Sequence, residues 1–223
     1  MPYTILAQNS GMFLLASFWK KLELWDQTVL FHINQVWQNS FLDTIMPWMR
    51  DSVIWLPLYL FFITLVFYNF GKKGFYWLLF FIATIALSDQ TSSNLIKHAV
   101  ARVRPCNDPF MLQYLKLRVS HCSGGFSFTS SHAANHFGMA MYIVSTLKVF
   151  TGKRINWLFV WAGIICYAQM YVGVHYPLDI AGGTIVGLIS GWITSRIFKH
   201  FVNLQLENND ASINLPHVHT KRI

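Results

Sequence analysis

The chain has 223 residues, of which 54% are hydrophobic and only 12% charged. A water-soluble domain of this size carries roughly twice that charged fraction, so the composition excludes one and points to a protein built into a lipid bilayer. The formal net charge is +8, yet no basic tract stands apart from the apolar segments. That pattern excludes a nucleic-acid-binding arm and reads as basic loops at a membrane surface.

In chain order, residues 1–17 lack the basic start and small-residue cleavage site of a signal peptide, and Gln8, Asn9, Ser10 and Gly11 interrupt their apolar character. From Phe18 to Trp48 polar and apolar residues mix as in amphipathic helices lying along an interface. Trp19, Trp25, Trp37 and Trp48 are spaced through this stretch as interfacial anchors. Residues 1–51 are therefore expected to form an interfacial N-terminal segment, with room for one imperfect span. Five apolar runs follow, at about 53–70, 75–95, 133–150, 155–173 and 178–198. Each is near the ~20 residues that a helix needs to cross the hydrocarbon core. The expected fold is an all-α integral membrane protein with five transmembrane helices, or six if the N-terminal segment also crosses. It would occupy residues 1–202, with a polar, disordered tail over 203–223 in which His217 and His219 are incidental.

Alternate loops must share a side. Lys72, Lys73, Lys148, Lys153, Arg154, Arg196 and Lys199 fall on one side, which the positive-inside rule makes cytoplasmic. The other side receives a long loop, about 97–131, and the short turn 174–177. Cys106 and Cys122 both lie in that loop, whereas Cys166 sits alone inside a span. A bridge between the first two would close a loop of about 15 residues, stabilise it by about 3 kcal/mol, and require an oxidising compartment such as a periplasm. The alternative is two unrelated thiols.

Three polar clusters fall on this outer side. "KHAVARVRP" carries Lys97, Arg102 and Arg104; "FTSSHAANHF" opens a helix with Ser130, Ser131 and His132; "VHYPLD" opens the last helix with His175 and Asp179. Pro177 suits a first helical turn, and a carboxylate there is favoured by the helix dipole. Two helix N-termini, two full positive charges and a hydroxyl thus converge on one region. Such a site fits an anion with several oxygens, phosphate above all. Asp179 could hold one ring nitrogen of His175 as N–H and leave the other lone pair free as a nucleophile. Blander readings compete. His175 and Asp179 could simply cap a helix. His132 and His136, one turn apart, could bind zinc, although no glutamate completes an H-E-x-x-H pattern. Asp89, two turns before Lys97, reads as structural support. A transporter would distribute polar groups through the depth of several helices, but the helix centres here read "LYLFFITLVF" and "GLISG".

Taken together, the clusters resemble the type 2 phosphatidic acid phosphatase (PAP2) superfamily, whose pattern is K-x6-R-P, then P-S-G-H, then S-R-x5-H-x3-D. Lys97, Arg104 and Pro105 match the first segment. Ser130 and His132 match the second, with Thr129 and Ser131 replacing proline and glycine. His175 and Asp179 match the third, but Ala168 and Gln169 stand in place of serine and arginine. The likeness runs from about Leu87 to Gly187. It implies that His175 attacks phosphorus, that Asp179 orients it, and that His132 protonates the leaving oxygen and then activates water. Lys97, Arg104, Ser130, Ser131 and Gln169 would bind the phosphate, with Arg102 or Arg118 supplying the charge that Gln169 lacks. No metal or other cofactor is implied. The substrate would be a lipid with a phosphate monoester or diphosphate at the outer leaflet of a bacterial inner membrane: a phospholipid, a polyprenyl pyrophosphate or a lipid A phosphate. A relative that only binds or transfers phosphoryl groups is the alternative.

Overall fold

A computed structural model describes residues 3–148 and 155–202, with side chains from Ala16 onward. Lys153, Arg154 and the tail with His217 and His219 lie outside the described residues. All regular structure among the described residues is helical. Helix α1 spans Tyr3–Phe31 and ends in a π-helical turn, His32–Val36. It runs unbroken through Gly11, where the sequence suggested an interruption; one internal glycine costs only about 1 kcal/mol relative to alanine. Helix α2 is Ser40–Met49, capped by the Asn39 side chain. Helix α3, Leu56–Phe70, turns at Gly71 into α4, Lys72–Asp89. A π-helical turn, Gln90–Ile96, carries α4 on into the short α5, Lys97–Val100. The long loop leads to α6, Ser131–Thr146, then α7, Trp157–Tyr171, and α8, Pro177–Phe201.

Two helical segments are long and apolar enough to cross a membrane, Ser52–Phe70 and Pro177–Phe201, while Trp157–Tyr171 is apolar but shorter. Helices α6 and α8 form the central pair. Gly183, Gly187 and Gly191 recur every fourth residue on α8 and face Ser130, Ala134 and Gly138 on α6. A Cβ on these glycines would stand 2.3, 2.3 and 2.4 Å from the carbonyl oxygens of Ser130, Ala134 and Gly138. Only a bare backbone permits that approach. Helix α4 lies against both partners through a buried Thr84–Thr194 hydroxyl contact of 2.6 Å and a Trp77 indole donating to Thr146 at 2.8 Å. Trp77, Phe81, Tyr142 and Phe198 pack as an aromatic cluster beneath them. Chain direction alternates along the bundle, so the C-terminal ends of α5 and α7 and the N-terminal ends of α6 and α8 gather at one end.

Two substitutions separate close approach from helix propensity. Gly187→Val drives carbon into the α6 backbone, so the expected outcome is loss of monodisperse protein in detergent. Gly163→Ala, on α7 where a Cβ meets nothing within 4 Å, should raise the unfolding temperature, by up to about 1 kcal/mol of stability. Thermal unfolding in detergent reads both.

Candidate active site

The two central helices start against each other. Ser130 caps α6, its hydroxyl accepting from the Ala133 N–H at 3.4 Å, while its own N–H donates to the Asp179 carbonyl in the first turn of α8 at 3.0 Å. Pro177 opens α8, and the Asp179 carboxylate reaches back to accept the Tyr176 N–H at 2.8 Å. Between α7 and α8 the chain turns at Gly173, whose φ of +86° suits glycine. That turn places His175 beside both helix starts.

His175 is buried. Its Nδ1 lies 3.4 Å from Asp179 Oδ2, and its Nε2 lies 3.0 Å from Arg104 Nη1. A guanidinium only donates, so Nε2 must be the accepting lone pair and Nδ1 carries the hydrogen given to Asp179. Burial holds the imidazole down to about 4, against the opposing pull of Asp179. Ser127 donates to Asp179 Oδ2 and sits 3.5 Å from Nδ1. Arg104 is fixed by the Gly125 and Val174 carbonyls, each at 3.3 Å. Lys97 Nζ donates to Ser131 Oγ at 2.7 Å, and Ser93 Oγ lies 2.8 Å from the same hydroxyl. Burial, then the Arg104 charge, lowers the Lys97 pKa, an effect that a bound anion would oppose. His132, in the first turn of α6, stacks on His136 with ring centroids 6.2 Å apart. His136 donates from Nδ1 to the His132 carbonyl at 2.8 Å, which leaves Nε2 to accept from Tyr59 at 3.1 Å. Both of its nitrogens are thus engaged. Among the described residues no group of three or more His, Cys, Asp or Glu is placed to hold a metal ion.

Residues 75–202 match the model of the PAP2 superfamily. The chain belongs to the PAP2 superfamily. It is 31% identical over 172 residues to a lipid A 4'-phosphatase of Bacteroides thetaiotaomicron, covering 75% of this chain and 74% of the relative. It is 25% identical to an undecaprenyl-diphosphatase of Sulfolobus acidocaldarius, over 88% of each chain. Its fold is similar to that of a transmembrane PAP2-type phosphatidylglycerolphosphate phosphatase from Bacillus subtilis, with a TM-score of 0.60 at 19% identity, over 83% of this chain and 90% of that one. Like these PAP2 relatives, the chain is a membrane protein.

The departures from the PAP2 pattern have structural counterparts. Arg102 meets Asp179 Oδ1 at 2.9 Å and Asp26 Oδ2 at 2.6 Å, and lies over the Tyr176 ring at 4.0 Å. It reaches the site, but through carboxylates. Arg118 does not; it pairs with Asp43 at 2.5 Å and Gln38 at 2.6 Å, and covers the Tyr171 ring at 4.6 Å, bracing α2 against α7. The Tyr171 hydroxyl, ahead of Lys116 and Arg118, holds the Asp43 pKa down to about 2. Cys106 and Cys122 are joined in a disulfide with Cα atoms 5.8 Å apart. The bridge packs against Val172 and Val174, directly beneath the His175 turn. Gln169 is buried in α7, and neither its amide nitrogen nor its oxygen has a hydrogen-bond partner among the described residues.

Sequence reasoning missed Ser127, Asn34 and Asp26. Asn34, fully buried, donates to the Tyr171 and Lys116 carbonyls at 2.8 and 3.0 Å and so fixes the end of α7. Asp26, also fully buried, accepts the Leu178 N–H at 2.8 Å besides Arg102. Acids within the largely apolar "LELWDQTVLF" were a usable signal, since charges in such surroundings are costly, although nothing in that stretch separates Asp26 from Glu23.

An unpaired buried amide costs about 1–3 kcal/mol. Gln169→Leu should therefore raise the unfolding temperature in detergent. If the amide donates to substrate phosphate, the same variant raises KM several-fold with a smaller change in kcat. A stabilised enzyme with unchanged KM would show that Gln169 does not touch the phosphate.

Proposed function

We propose that this PAP2 protein hydrolyses a phosphate monoester or diphosphate on a membrane lipid through a phosphohistidine, at the outer face of a membrane that its helices cross five or six times. The observation that carries this reading is the pairing of His175, which has one nitrogen tied to Asp179 and its lone pair held against Arg104. Phosphatase activity in the relatives named above supports the same reaction class.

In the first step the Nε2 lone pair of His175 bonds to phosphorus. The bond from phosphorus to the lipid oxygen breaks, its electron pair stays on that oxygen, and His132 as imidazolium supplies the proton. Arg104 must release Nε2 for this to happen, and a phosphoryl oxygen is the acceptor that can take its N–H in exchange. Lys97, Ser130, Ser131 and Gln169, with the N–H groups in the first turn of α6, would hold the remaining phosphoryl oxygens as charge redistributes. In the second step neutral His132 takes a proton from water while the water oxygen attacks phosphorus. The P–N bond breaks and its pair returns to Nε2. The products are a lipid with a free oxygen terminus and inorganic phosphate. Cationic side chains fill the part that metal ions play in many phosphoryl transfers, so release should persist in excess chelator. The periplasmic placement is supported by the Cys106–Cys122 bridge, which needs an oxidising compartment.

Purified enzyme in detergent with chelator, assayed for phosphate release from lipid A, undecaprenyl diphosphate and phosphatidylglycerophosphate, tests the reading. His175→Ala should lower kcat about a thousandfold or more, and His132→Ala by about 10²–10⁴-fold. With an aryl phosphate, whose leaving group needs no proton, His132→Ala should accumulate acid-labile, alkali-stable phosphate on the protein. Wild-type protein that releases phosphate from none of these would favour the non-hydrolytic alternative.

The pH dependence has a defined sign. The free base of His175 is the active form and its pKa lies at about 4, so kcat/KM should fall only as the pH drops through about 4. An acid limb centred near 6.5, the ordinary histidine value, would show that the titrating group is not this buried imidazole. Burial, then neighbouring positive charge, holds His132 down to about 3 in the free protein, so the bound phosphate must raise it before it can act as the acid. The alkaline limb that makes the profile bell-shaped should therefore appear in kcat, not in kcat/KM.

A further inference from the structure

A cavity of about 360 Å³ opens between α3, α4 and α6, with His132 in its wall and no lining from the His175 turn. His132, Ser131, Asp89 and Asn135 line its outer part, while Phe81 and Met139 line its depth. The polar-to-apolar gradient follows the chain: residues 81, 85 and 89 climb α4 toward the site, and residues 132, 135 and 139 descend α6 away from it. Under the mechanism above His132 protonates the leaving oxygen, so the wall carrying His132 faces the departing lipid rather than the phosphate.

Asp89 is the acid of that wall. Its Oδ1 accepts from Ser93 Oγ at 3.1 Å and from Asn135 Nδ2 at 3.4 Å. Its Oδ2 accepts no hydrogen bond, and Asp89 forms no ion pair, among the described residues. Asn135 is oriented by Ser88, whose hydroxyl donates to its Oδ1 at 3.0 Å. Lys97 is near enough for its charge to be felt by Asp89, but its ammonium is committed to Ser131. An anionic oxygen and an oriented amide therefore look into the space where the leaving group must sit.

We propose that Asp89 and Asn135 select the leaving group: they accept and position a hydroxyl-bearing, sugar-like headgroup and disfavour one that departs as a second phosphate. This rests on the phosphatase reading given above. A carboxylate accepts strongly from a hydroxyl and repels an anion across a site that excludes water. In a lipid diphosphate the leaving group is itself a lipid phosphate, which would carry its charge toward Asp89. In a sugar phosphate monoester the leaving group is a neutral alcohol flanked by other oxygens, and the apolar depth beyond is open to acyl chain.

The test compares kcat/KM of wild type, Asp89→Asn and Asn135→Ala on two substrates in detergent, bis-phosphorylated lipid A and undecaprenyl diphosphate, by inorganic phosphate released. Wild type should favour lipid A. Asp89→Asn should lower the lipid A value about tenfold and raise the diphosphate value several-fold, whereas Asn135→Ala should lower the lipid A value alone. Both substrates use the same His175 chemistry, so a merely structural role would move the two values together. Equal changes in both, or a wild type that favours the diphosphate, would overturn the proposal while leaving the phosphatase reading intact. No phosphate release from either substrate by wild type would instead remove the reading on which it rests. If Asp89→Asn does not fold, Asn135→Ala decides: loss confined to lipid A supports the proposal, and loss shared by both overturns it.

Discussion

Everything at the site depends on how closely α6 and α8 approach. In a bilayer apolar side chains gain little by touching one another rather than lipid, so helices associate where small residues let backbones meet. The row Gly183–Gly187–Gly191 against Ser130–Ala134–Gly138 supplies that contact. Its uppermost member is also the start of the active region: the carbonyl that Gly183 approaches belongs to Ser130, the cap of α6. The contact that holds the bundle together therefore also fixes the spacing of two helix N-termini. The positive dipole ends of both helices then face one region, although the first N–H groups of α8 are already taken by Asp26 and the Tyr176 carbonyl.

Three basic side chains lie in this region, already positive in this way, and a fourth, Arg118, lies outside it; their partners sort them. Arg102 and Arg118 form ion pairs with carboxylates, Arg102 with Asp26 and Asp179, Arg118 with Asp43. Lys97 and Arg104 form none among the described residues; they rest on a serine hydroxyl, backbone carbonyls and the lone pair of His175. A cation held by neutral acceptors can exchange them for an anion at little electrostatic loss, whereas one held by carboxylates cannot. On that ground the proposed function gives Lys97 and Arg104 to the phosphate, and leaves Arg102 and Arg118 to the scaffold. Arg102 is nonetheless consequential, because its second carboxylate ties α1 to the helix start beside His175.

How much of this was legible depended on whether a signal was local. The His175–Pro177–Asp179 spacing, the Ser130 cap and the K-x6-R-P run each place their residues by backbone geometry within one or two turns, and each could be read from the chain alone. Helices α3, α4, α6, α7 and α8 followed from the five apolar runs, the run at 75–95 taking in most of the π-helical turn after α4, whereas the short α5 lies where a loop was expected. What stayed hidden were contacts between distant segments. Asp26 meets Leu178 across 152 residues and Asn34 meets Tyr171 across 137; no periodicity encodes such a pairing. Arg118 looked equivalent to Arg102 because both are basic residues of one loop. Only the fold separates them, by placing Asp43 under one and Asp179 under the other. Gln169 marks the reverse situation: the sequence shows the substitution, and the structure adds that nothing among the described residues compensates for it by bonding the amide.

The proposed division of labour between the two histidines follows from how Asp179 is used. Its Oδ1 is held by Arg102, and its Oδ2 takes the Tyr176 N–H, the Ser127 hydroxyl and the His175 Nδ1 contact. A carboxylate supplied with that many donors is stabilised as the anion and has little tendency to accept the imidazole proton. It fixes the ring and its tautomer without taking part in proton transfer. His175, buried with Arg104 at its other nitrogen, has no route for passing a proton outward either. In the proposed reaction a proton must still reach the leaving oxygen and be recovered from water in each cycle. Of the histidines at this end of the bundle, His136 has both nitrogens engaged and His175 is enclosed. Among the described residues His132 is the one of the three whose ring makes no hydrogen bond, and it lines a cavity, which is what the proposed mechanism asks of its proton carrier.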